Sequence, residues 1–395
     1  MFTKAFVPYK GYWSSPFSRW QGMLANQDSI DLAAAATKKF FDLRGYSPEL
    51  FDGIVFGTTI PQKRWFYGSP HFASLMGNPK ISGPLMAQAC ATSTVSLNYA
   101  ANNIETGGYE TMLVATTDRM SNGPNILWPN PVGPGGQPAF ESWVMDGFAM
   151  DPMAETSPTG TAENVAKKHG FTREQSDAMA IARYNKYTDA LKNDREFQKR
   201  YMLPLDIQIS RKKTVVFEED EGITPCTEEG MAKLKTKPGN VITFGAQTHP
   251  ADGNAGMIVT TKEKAEELSA DKGVTIQIIC YGAARAEKAH MPEAATFAAQ
   301  NALKAAGLSI SDIAAVKTHN PFTINDLAMQ KILGVDEKIF NNYGSSMIFG
   351  HPQGPTTMRI FVELIEELVI LGGGYGLLSG CAAGDSGASM IVKVN

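Results

Sequence analysis

MAQACATST, residues 86–94, sets one thiol, that of Cys90, among small side chains. Apolar residues then recur every three or four positions and two glycines end the run, which predicts a helix over 93–107. Cys90 is therefore expected at or just before a helix N-terminus, where unpaired N–H groups and the helix dipole favour a thiolate. A buried structural cysteine is the alternative that this segment leaves open.

Buried strands alternate with helices on both sides of this stretch. The pattern predicts a helix at 29–44 and strands at 52–58 and 111–116, and the alternation resumes from 274 to the end. Such alternation is typical of an α/β layered domain. Residues 121–138 are dense in Pro, Gly and Asn, which predicts an irregular loop that covers a site or forms a subunit contact.

Composition excludes several classes of function. A chain of 395 residues with 43% hydrophobic content buries a large core, and a net charge of -4 gives no reason to expect nucleic acid or an anionic membrane as partner. The four cysteines are scattered without a CxxC pair, so no metal site or disulfide is expected and a reducing compartment, the cytoplasm, fits. The apolar tract at 361–378 contains three glutamates, which favours a soluble helix and strand over a membrane span.

Three distant segments each place a nucleophilic or titratable side chain on a tight turn, where loops carry chemistry. They are 317–322 with His319, 349–354 with His351, and 379–387 with Cys381. A histidine held between Gly350 and Pro352 has a restricted backbone, which suits a catalytic group. Taken singly, each segment is also consistent with an ordinary core or surface residue whose polar groups are already hydrogen-bonded.

Together with the Cys90 segment, these turns resemble the thiolase family in order, spacing and local sequence. The match covers most of the chain beyond the first few dozen residues. His351 matches the histidine of the family's GHPxG motif, and Cys381 matches the cysteine of its CxGGGxG motif. Most thiolases read NEAF where this chain reads HNPF at 319–322, and a histidine there resembles the HDxF motif of the sterol-carrier-protein-type thiolases.

The resemblance implies the thiolase fold, an α/β architecture of two similar halves in five layers (αβαβα) with an inserted loop domain. The expected N-terminal half comprises residues 1–118 and 245–270, the loop domain residues 119–244, and the C-terminal half residues 271–395. No internal sequence repeat is strong enough to relate the two halves directly.

The resemblance also implies an acyltransferase that cleaves a 3-oxoacyl-CoA with CoA, or runs the reverse Claisen condensation, through an acyl-Cys90 intermediate. His351 would take the Cys90 proton, and Cys381 would protonate the departing carbanion and deprotonate the incoming CoA. His319 would donate to the thioester oxygen. Coenzyme A is expected as a substrate, with no permanently bound cofactor.

Substrate contacts are expected from four further residues, although two motifs depart from the family pattern. The turn that usually reads GNASG reads GAQTH at 245–249, where Thr248 is expected to bond the pantetheine and His249 to add a polar contact. The family's GGG becomes Ala383-Gly384-Asp385, an acid expected to reshape the acyl pocket or the oxyanion donors. Phe322 and Gly384 complete the expected set.

Partners follow from the same resemblance. A homodimer or tetramer is expected. Aromatic side chains in the loops indicate a bulky or aromatic acyl group such as that of benzoylsuccinyl-CoA; they are Trp128, Phe140, Trp143 and Phe148. A thiolase for such a substrate would work with a small zinc-ribbon or OB-type partner subunit. Two alternatives stay open. A β-ketoacyl synthase-like condensing enzyme would use Cys90, His319 and His351 without Cys381, and a non-catalytic acyl-CoA-binding subunit would account for the altered CoA contacts.

Overall fold

Two sets of strands enclose a central pair of helices in the computed structural model, which describes residues 1–395. The strands are β1 (Phe6–Val7), β2 (Tyr12–Ser14), β3 (Ser18–Arg19), β4 (Gly53–Gly57), β5 (Leu85–Met86), β6 (Thr111–Arg119), β7 (Asn125–Trp128), β8 (Ala139–Ser142), β9 (Leu205–Ser210), β10 (Lys213–Phe217), β11 (Ala251–Thr260), β12 (Ile276–Arg285), β13 (Ile313–His319), β14 (Gly374–Ala382) and β15 (Ser386–Val394). The α-helices are α1 (Ser29–Arg44), α2 (Gly68–Met76), α3 (Thr92–Thr106), α4 (Trp143–Ala149), α5 (Pro158–His169), α6 (Arg173–Ala190), α7 (Lys192–Lys199), α8 (Glu228–Lys233), α9 (Lys262–Leu268), α10 (Met291–Ala306), α11 (Thr323–Leu333), α12 (Ser346–Phe349) and α13 (Thr356–Ile370).

The two halves of the chain repeat one topology that no sequence repeat reveals. In the first half β4 pairs in parallel with β6, which pairs antiparallel with β11; in the second β13 pairs in parallel with β14, which pairs antiparallel with β15. Helix α3 links β4 to β6 by way of β5, and α13 occupies the equivalent place before β14. The short strand β1 pairs with both β11 and β12 and joins the two sets into one sheet path.

The helices form three layers around these strands, which confirms the predicted five-layer fold. Helices α1 and α2 cover the outer face of the first half, and α10 and α11 cover that of the second. Helices α3 and α13 touch each other between the strand sets. The residues that precede these two central helices, Cys90 and His351, are therefore brought to the same end of the inner layer.

The central position of α13 buries polar side chains. Glu363 and Glu366 of α13 are fully buried, and segment 119–244 supplies some of their partners. Glu366 pairs with Arg200 at 2.7 Å and Glu363 accepts a hydrogen bond from the Tyr201 hydroxyl at 2.6 Å. Buried charges need such partners, so these contacts tie segment 119–244 to the core.

Segment 121–138 is more regular than the predicted loop. Residues Asn125–Trp128 form β7, which pairs antiparallel with β8 as a hairpin because four consecutive residues on each side match in register. The chain changes from basic to acidic side chains over residues 211–221. Part of this segment belongs to a second hairpin, which β9 and β10 form. None of the helices combines the length and the apolar character that a membrane crossing requires.

A buried carboxylate at the end of β6 ties three segments together at the inner layer. Asp118 accepts hydrogen bonds from Thr58, from the backbone and hydroxyl of Thr59, and from the Ile60 backbone, all at 2.8–2.9 Å. Its Oδ2, which accepts the Thr59 hydroxyl, also accepts the Gly354 N–H at 2.7 Å. A Cβ at position 354 would lie 2.7 Å from that oxygen, which explains the glycine three residues after His351.

We expect Asp118→Asn to destabilise the protein by about 1–3 kcal/mol, since the amide leaves a buried N–H donor without an acceptor. Burial raises the pKa of Asp118 to about 6, so the folded state holds this proton at higher pH than the unfolded state does. The contribution of Asp118 to stability therefore falls as pH rises from about 4 to about 6, and the stability difference between wild type and Asp118→Asn narrows over that range.

Thermal unfolding followed from pH 4 to pH 7 measures both effects. Asp31→Asn is the matched control, because the Asp31 carboxylate is half exposed and pairs only with Arg64 on the surface. A midpoint for Asp118→Asn equal to that of the control at every pH would contradict the predicted role.

Candidate active site

Cys90 and His351 form a direct side-chain pair where the two central helices begin. The Nε2 atom of His351 lies 3.0 Å from the Cys90 sulfur, and both residues are buried. Cys90 precedes α3 by two residues, as the sequence predicts, and Ala89 before it adopts a positive φ of 44°. Such a strained turn for a non-glycine residue is typical of functional sites.

Hydrogen bonds fix the orientation of the His351 ring. Its Nδ1 lies 2.7 Å from the Thr356 hydroxyl, and its backbone N–H donates to the His249 carbonyl at 2.9 Å. When Nδ1–H donates to Thr356, Nε2 presents a lone pair to the Cys90 thiol. The thiol has a second acceptor, since the Gln353 Oε1 lies 3.3 Å from the same sulfur.

Burial keeps this pair neutral in the unliganded protein. Burial raises the pKa of Cys90 to about 12, although the Ala383 backbone N–H donates to the sulfur and opposes the shift. Burial, followed by the neighbouring His319 and His249, lowers the pKa of His351 well below its usual value. Desolvation therefore opposes the thiolate that the helix N-terminus favours.

His319 lies beside His351, at the end of β13, with the two rings tilted by 30°. The ring centroids are 4.1 Å apart, and the Nδ1 of His319 lies 2.8 Å from the Ser346 hydroxyl. Its Nε2 is buried without a hydrogen-bond partner. Burial lowers the pKa of His319 to about 3, so this imidazole is neutral. A buried nitrogen without a partner at a functional site indicates a ligand group that the site is built to meet.

Cys381 lies at the end of β14, behind the Cys90–His351 pair. Its thiol is fully buried and accepts a hydrogen bond from the Asn325 amide at 3.2 Å. Burial first, then the nearby Cys90 and Asp385, raises the pKa of Cys381. The next residue, Ala382, packs in the same apolar cluster as Cys90, so the fold brings the two distant thiols together.

The altered turn at 383–385 is held by contacts that point away from the cavity. Asp385 adopts a positive φ of 52° and its carboxylate accepts the Ala289 N–H at 2.8 Å. The Gly384 N–H donates to Asp151 at 2.7 Å and its carbonyl accepts from Arg285 at 2.7 Å. Gly384 and Asp385 thus shape the turn, while Ala383 alone of the three lines the cavity.

A cavity of about 580 Å³ opens onto Cys90 and His351. Thr248 and Phe322, two of the residues expected to contact the substrate, are among its lining residues. The Thr248 hydroxyl donates to the Ser346 carbonyl at 2.6 Å, which leaves its lone pairs as acceptors. His249 lies outside the lining; its ring nitrogens face the Pro250 and Ile348 carbonyls, so it supports the His351 turn instead.

Only two of the four loop aromatics named from the sequence reach this cavity. Trp143 and Phe148 line it, and the Trp143 indole donates to the Thr59 carbonyl at 3.0 Å, which fixes its ring. Trp128 and Phe140 lie on the β7–β8 hairpin, exposed by 48% and 64%. Apolar lining from Ile60, Val144 and Met291 completes the wall.

Several residues in contact with the catalytic candidates had not been named from the sequence. Gln353 occupies the variable position of GHPxG, so that motif was the one available signal. Asn325, Ser346 and Thr356 carry no motif of their own, because each reaches its partner only through the packing of α11, α12 and α13 against the strand ends.

This arrangement of a cysteine and an adjacent imidazole at a cavity, with a second thiol buried behind them, is typical of a thiol-dependent transferase class. Two family models match the chain: "Thiolase, N-terminal domain" over residues 13–263 and "Thiolase, C-terminal domain" over residues 272–394. The chain belongs to the thiolase family. It is accordingly an enzyme of the acyltransferase type.

Curated relatives and solved structures agree with this assignment. The acetyl-CoA acetyltransferase of Yarrowia lipolytica is 28% identical over 96% of this chain and 94% of its own, and the mitochondrial 3-ketoacyl-CoA thiolase of Homo sapiens is 26% identical over 96% of each. The crystal structure of the Bacillus anthracis acetyl-CoA acetyltransferase superposes with a TM-score of 0.91 at 25% identity, covering 100% of this chain and 99% of that one. The human mitochondrial 3-ketoacyl-CoA thiolase in complex with CoA gives 0.89 at 25% identity, covering 99% and 98%.

The cavity predicts which cysteines react with a small alkylating reagent. Cys90 lines the cavity, and Cys226 is partly exposed, whereas Cys280 and Cys381 are buried and are not among the lining residues. We expect iodoacetamide to label Cys90 and Cys226 in the native protein and to spare the other two, as read by peptide mass mapping. Native labelling of Cys280 as fast as that of Cys90 would contradict this arrangement.

Proposed function

We propose that this enzyme transfers an acyl group between Cys90 and CoA by the thiolase reaction, cleaving a 3-oxoacyl-CoA or forming it by Claisen condensation. The observation that carries the proposal is the 3.0 Å contact between the Cys90 sulfur and the His351 Nε2 at the base of a cavity, with the Cys381 thiol behind it. Direction depends on the concentrations of the thioesters, so both directions share the same residues.

In the first half-reaction, the Cys90 thiol gives its proton to the His351 Nε2 while the sulfur attacks the C3 carbonyl carbon. The C2–C3 bond then breaks, and Cys381 gives its proton to the departing C2 carbanion. In the second half-reaction, CoA gives its thiol proton to the Cys381 thiolate and attacks the acyl-Cys90 thioester. Cys90 leaves with the proton held by His351.

Neutral donors suit the oxyanions of both steps. When the Ser346 hydroxyl donates to the Nδ1 of His319, the unpartnered Nε2 carries the proton and donates to the thioester oxygen of the carbanion as its charge develops. The Cys90 and Ala383 backbone N–H groups are the proposed donors to the C3 oxygen. A neutral imidazole here avoids the cost of placing a third charge in a buried site.

The lining favours a bulky, neutral acyl group. Trp143, Phe148 and Phe322 form an aromatic wall, and no lysine or arginine is among the lining residues, where Glu141 adds a carboxylate. An acyl chain with its own carboxylate would meet no counter-charge, so we propose an aromatic or branched neutral chain. The benzoylsuccinyl example, which carries a free carboxylate, stays an untested prediction.

We propose a homodimer or tetramer, supported by the exposed apolar side chains of the β7–β8 hairpin region. Val132 is 95% exposed, and Leu127 and Phe140 are each exposed by more than half. Contiguous exposed apolar surface of this kind favours a subunit contact. A zinc-ribbon or OB-type partner subunit stays a prediction without a structural argument of its own.

Intact-mass measurement with an acyl-CoA tests the nucleophile. We expect wild type to gain one acyl group, Cys90→Ser to lose this labelling, and the control Cys226→Ser to retain it. Persistent acylation of Cys90→Ser at another residue would remove Cys90 from the role.

The Cys381→Ala variant separates a thiolase from a β-ketoacyl synthase-like enzyme. Loss of the proton carrier at the α-carbon is expected to lower kcat for thiolysis by about 10²–10⁴-fold while acylation of Cys90 by acetyl-CoA persists. Full thiolysis activity in Cys381→Ala would favour the synthase-like alternative. No cleavage of any acyl-CoA by a correctly folded wild type would favour a non-catalytic subunit.

A substrate panel tests the acyl pocket. We expect a higher kcat/KM for 3-oxo-3-phenylpropanoyl-CoA than for 3-oxoadipyl-CoA, and Trp143→Ala is expected to lower the first by about 10-fold or more, since it removes a fixed aromatic contact worth about 1–3 kcal/mol. Trp128→Ala is the control, because its ring lies outside the cavity. A preference for the dicarboxylic chain would overturn the neutral-chain proposal.

A further inference from the structure

Cys90, His319 and His351 gather three metal-ligating atoms in one buried cluster. The three atoms all lie within 4.8 Å of one another, and each residue is buried. The cluster differs from an ordinary Cys–His pair because the Nε2 of His319, a residue with no exposed surface, has no hydrogen-bond partner. A cation at the centre of the cluster would satisfy this nitrogen.

We infer that this cluster binds a thiophilic divalent cation, for which Zn²⁺ is the natural probe, and that such binding reversibly inhibits the enzyme. Thiolate sulfur and imidazole nitrogen are the ligands that Zn²⁺ selects, at about 2.0–2.3 Å in tetrahedral geometry. Atoms at those distances from one ion lie roughly 3–4 Å apart, so the cluster needs only small side-chain movement. Binding forms bonds to Cys90, His319 and His351 and releases the Cys90 thiol proton to solvent.

The supporting residues suit metal binding. The Nδ1 atoms of His351 and His319 lie 2.7 and 2.8 Å from the hydroxyls of Thr356 and Ser346, and a donated Nδ1–H directs the Nε2 lone pair toward the cluster. In the metal-bound state the Ser346 hydroxyl accepts a hydrogen bond from the His319 Nδ1–H, whereas in the state proposed for catalysis it donates to that nitrogen. Cys90, His351 and Gln353 line the cavity, so water or the Gln353 Oε1, which lies 3.3 Å from the Cys90 sulfur, is available as a fourth ligand.

Inhibition follows from the shared sulfur. A Cys90 lone pair held by the cation is not available to attack a carbonyl carbon, and the same ion blocks the His351 Nε2 that would take the proton. The inference concerns coordination alone, so it holds whichever acyl group the enzyme transfers.

Equilibrium dialysis of the chelator-treated full-length protein against Zn²⁺, with metal counted by mass spectrometry, tests the site. We expect one tight Zn²⁺ per chain in wild type and in Cys226→Ser, and a loss of affinity greater than about 100-fold in His319→Asn, since losing only a supporting partner costs about 10–100-fold. Co²⁺ is expected to give a thiolate-to-metal charge-transfer band in wild type that His319→Asn weakens and Cys90→Ala abolishes. Equal Zn²⁺ affinity in wild type and a folded His319→Asn would overturn the inference.

Wild type alone supplies a second test should the His319 variant fail to fold. One equivalent of Zn²⁺ is expected to protect Cys90, and not Cys226, from iodoacetamide, and added chelator is expected to restore both labelling and activity. Unchanged Cys90 labelling at saturating Zn²⁺ would overturn the inference. Because both measurements read binding, a failure of the proposed acyl transfer is distinguishable from a failure of the metal site.

Discussion

The side-by-side packing of α3 and α13 between two strand sets is the constraint on which the site depends. Each helix begins at a loop that carries one member of the Cys90–His351 pair. The Gly354 carbonyl accepts the Ser93 hydroxyl, which links the His351 loop to the start of α3, and the Gly354 N–H donates to Asp118 at the end of β6. A shift of α13 by a fraction of a helical turn would separate the sulfur from the imidazole, so the core contacts along α13 also fix the chemistry.

Burial of this inner layer sets the electrostatics of the site. Desolvation raises the pKa values of Cys90 and Cys381 and lowers those of His319 and His351, so the unliganded site stores protons on sulfur rather than on nitrogen. Desolvation therefore opposes charge separation in the unliganded site, which favours transfer of the Cys90 proton to His351 as the sulfur forms its bond to the substrate. The same dry environment strengthens each hydrogen bond aimed at a developing oxyanion.

Much of the fold could be predicted because many of its helices and strands follow from local sequence patterns. Helix α1 begins and ends at the residues expected from its periodicity, and the Cys90 helix starts within one residue of its predicted start. The prediction of an irregular loop at 121–138 failed where tertiary contacts override local preference. Residues 125–128 pair as a strand within this Gly- and Pro-rich segment.

The sequence by itself determined the motifs: a cysteine before a helix, a histidine between glycine and proline, HNPF at 319–322 and a cysteine near the end, in the order of the thiolase family. Only the tertiary structure decided their geometry and charge. It placed Cys90 3.0 Å from the His351 ring, brought Gln353 and Asn325 to the two sulfurs, and turned His249 and Asp385 away from the cavity. Distances between residues far apart in the chain, and the desolvation that follows from them, are properties of packing, which no local spacing encodes.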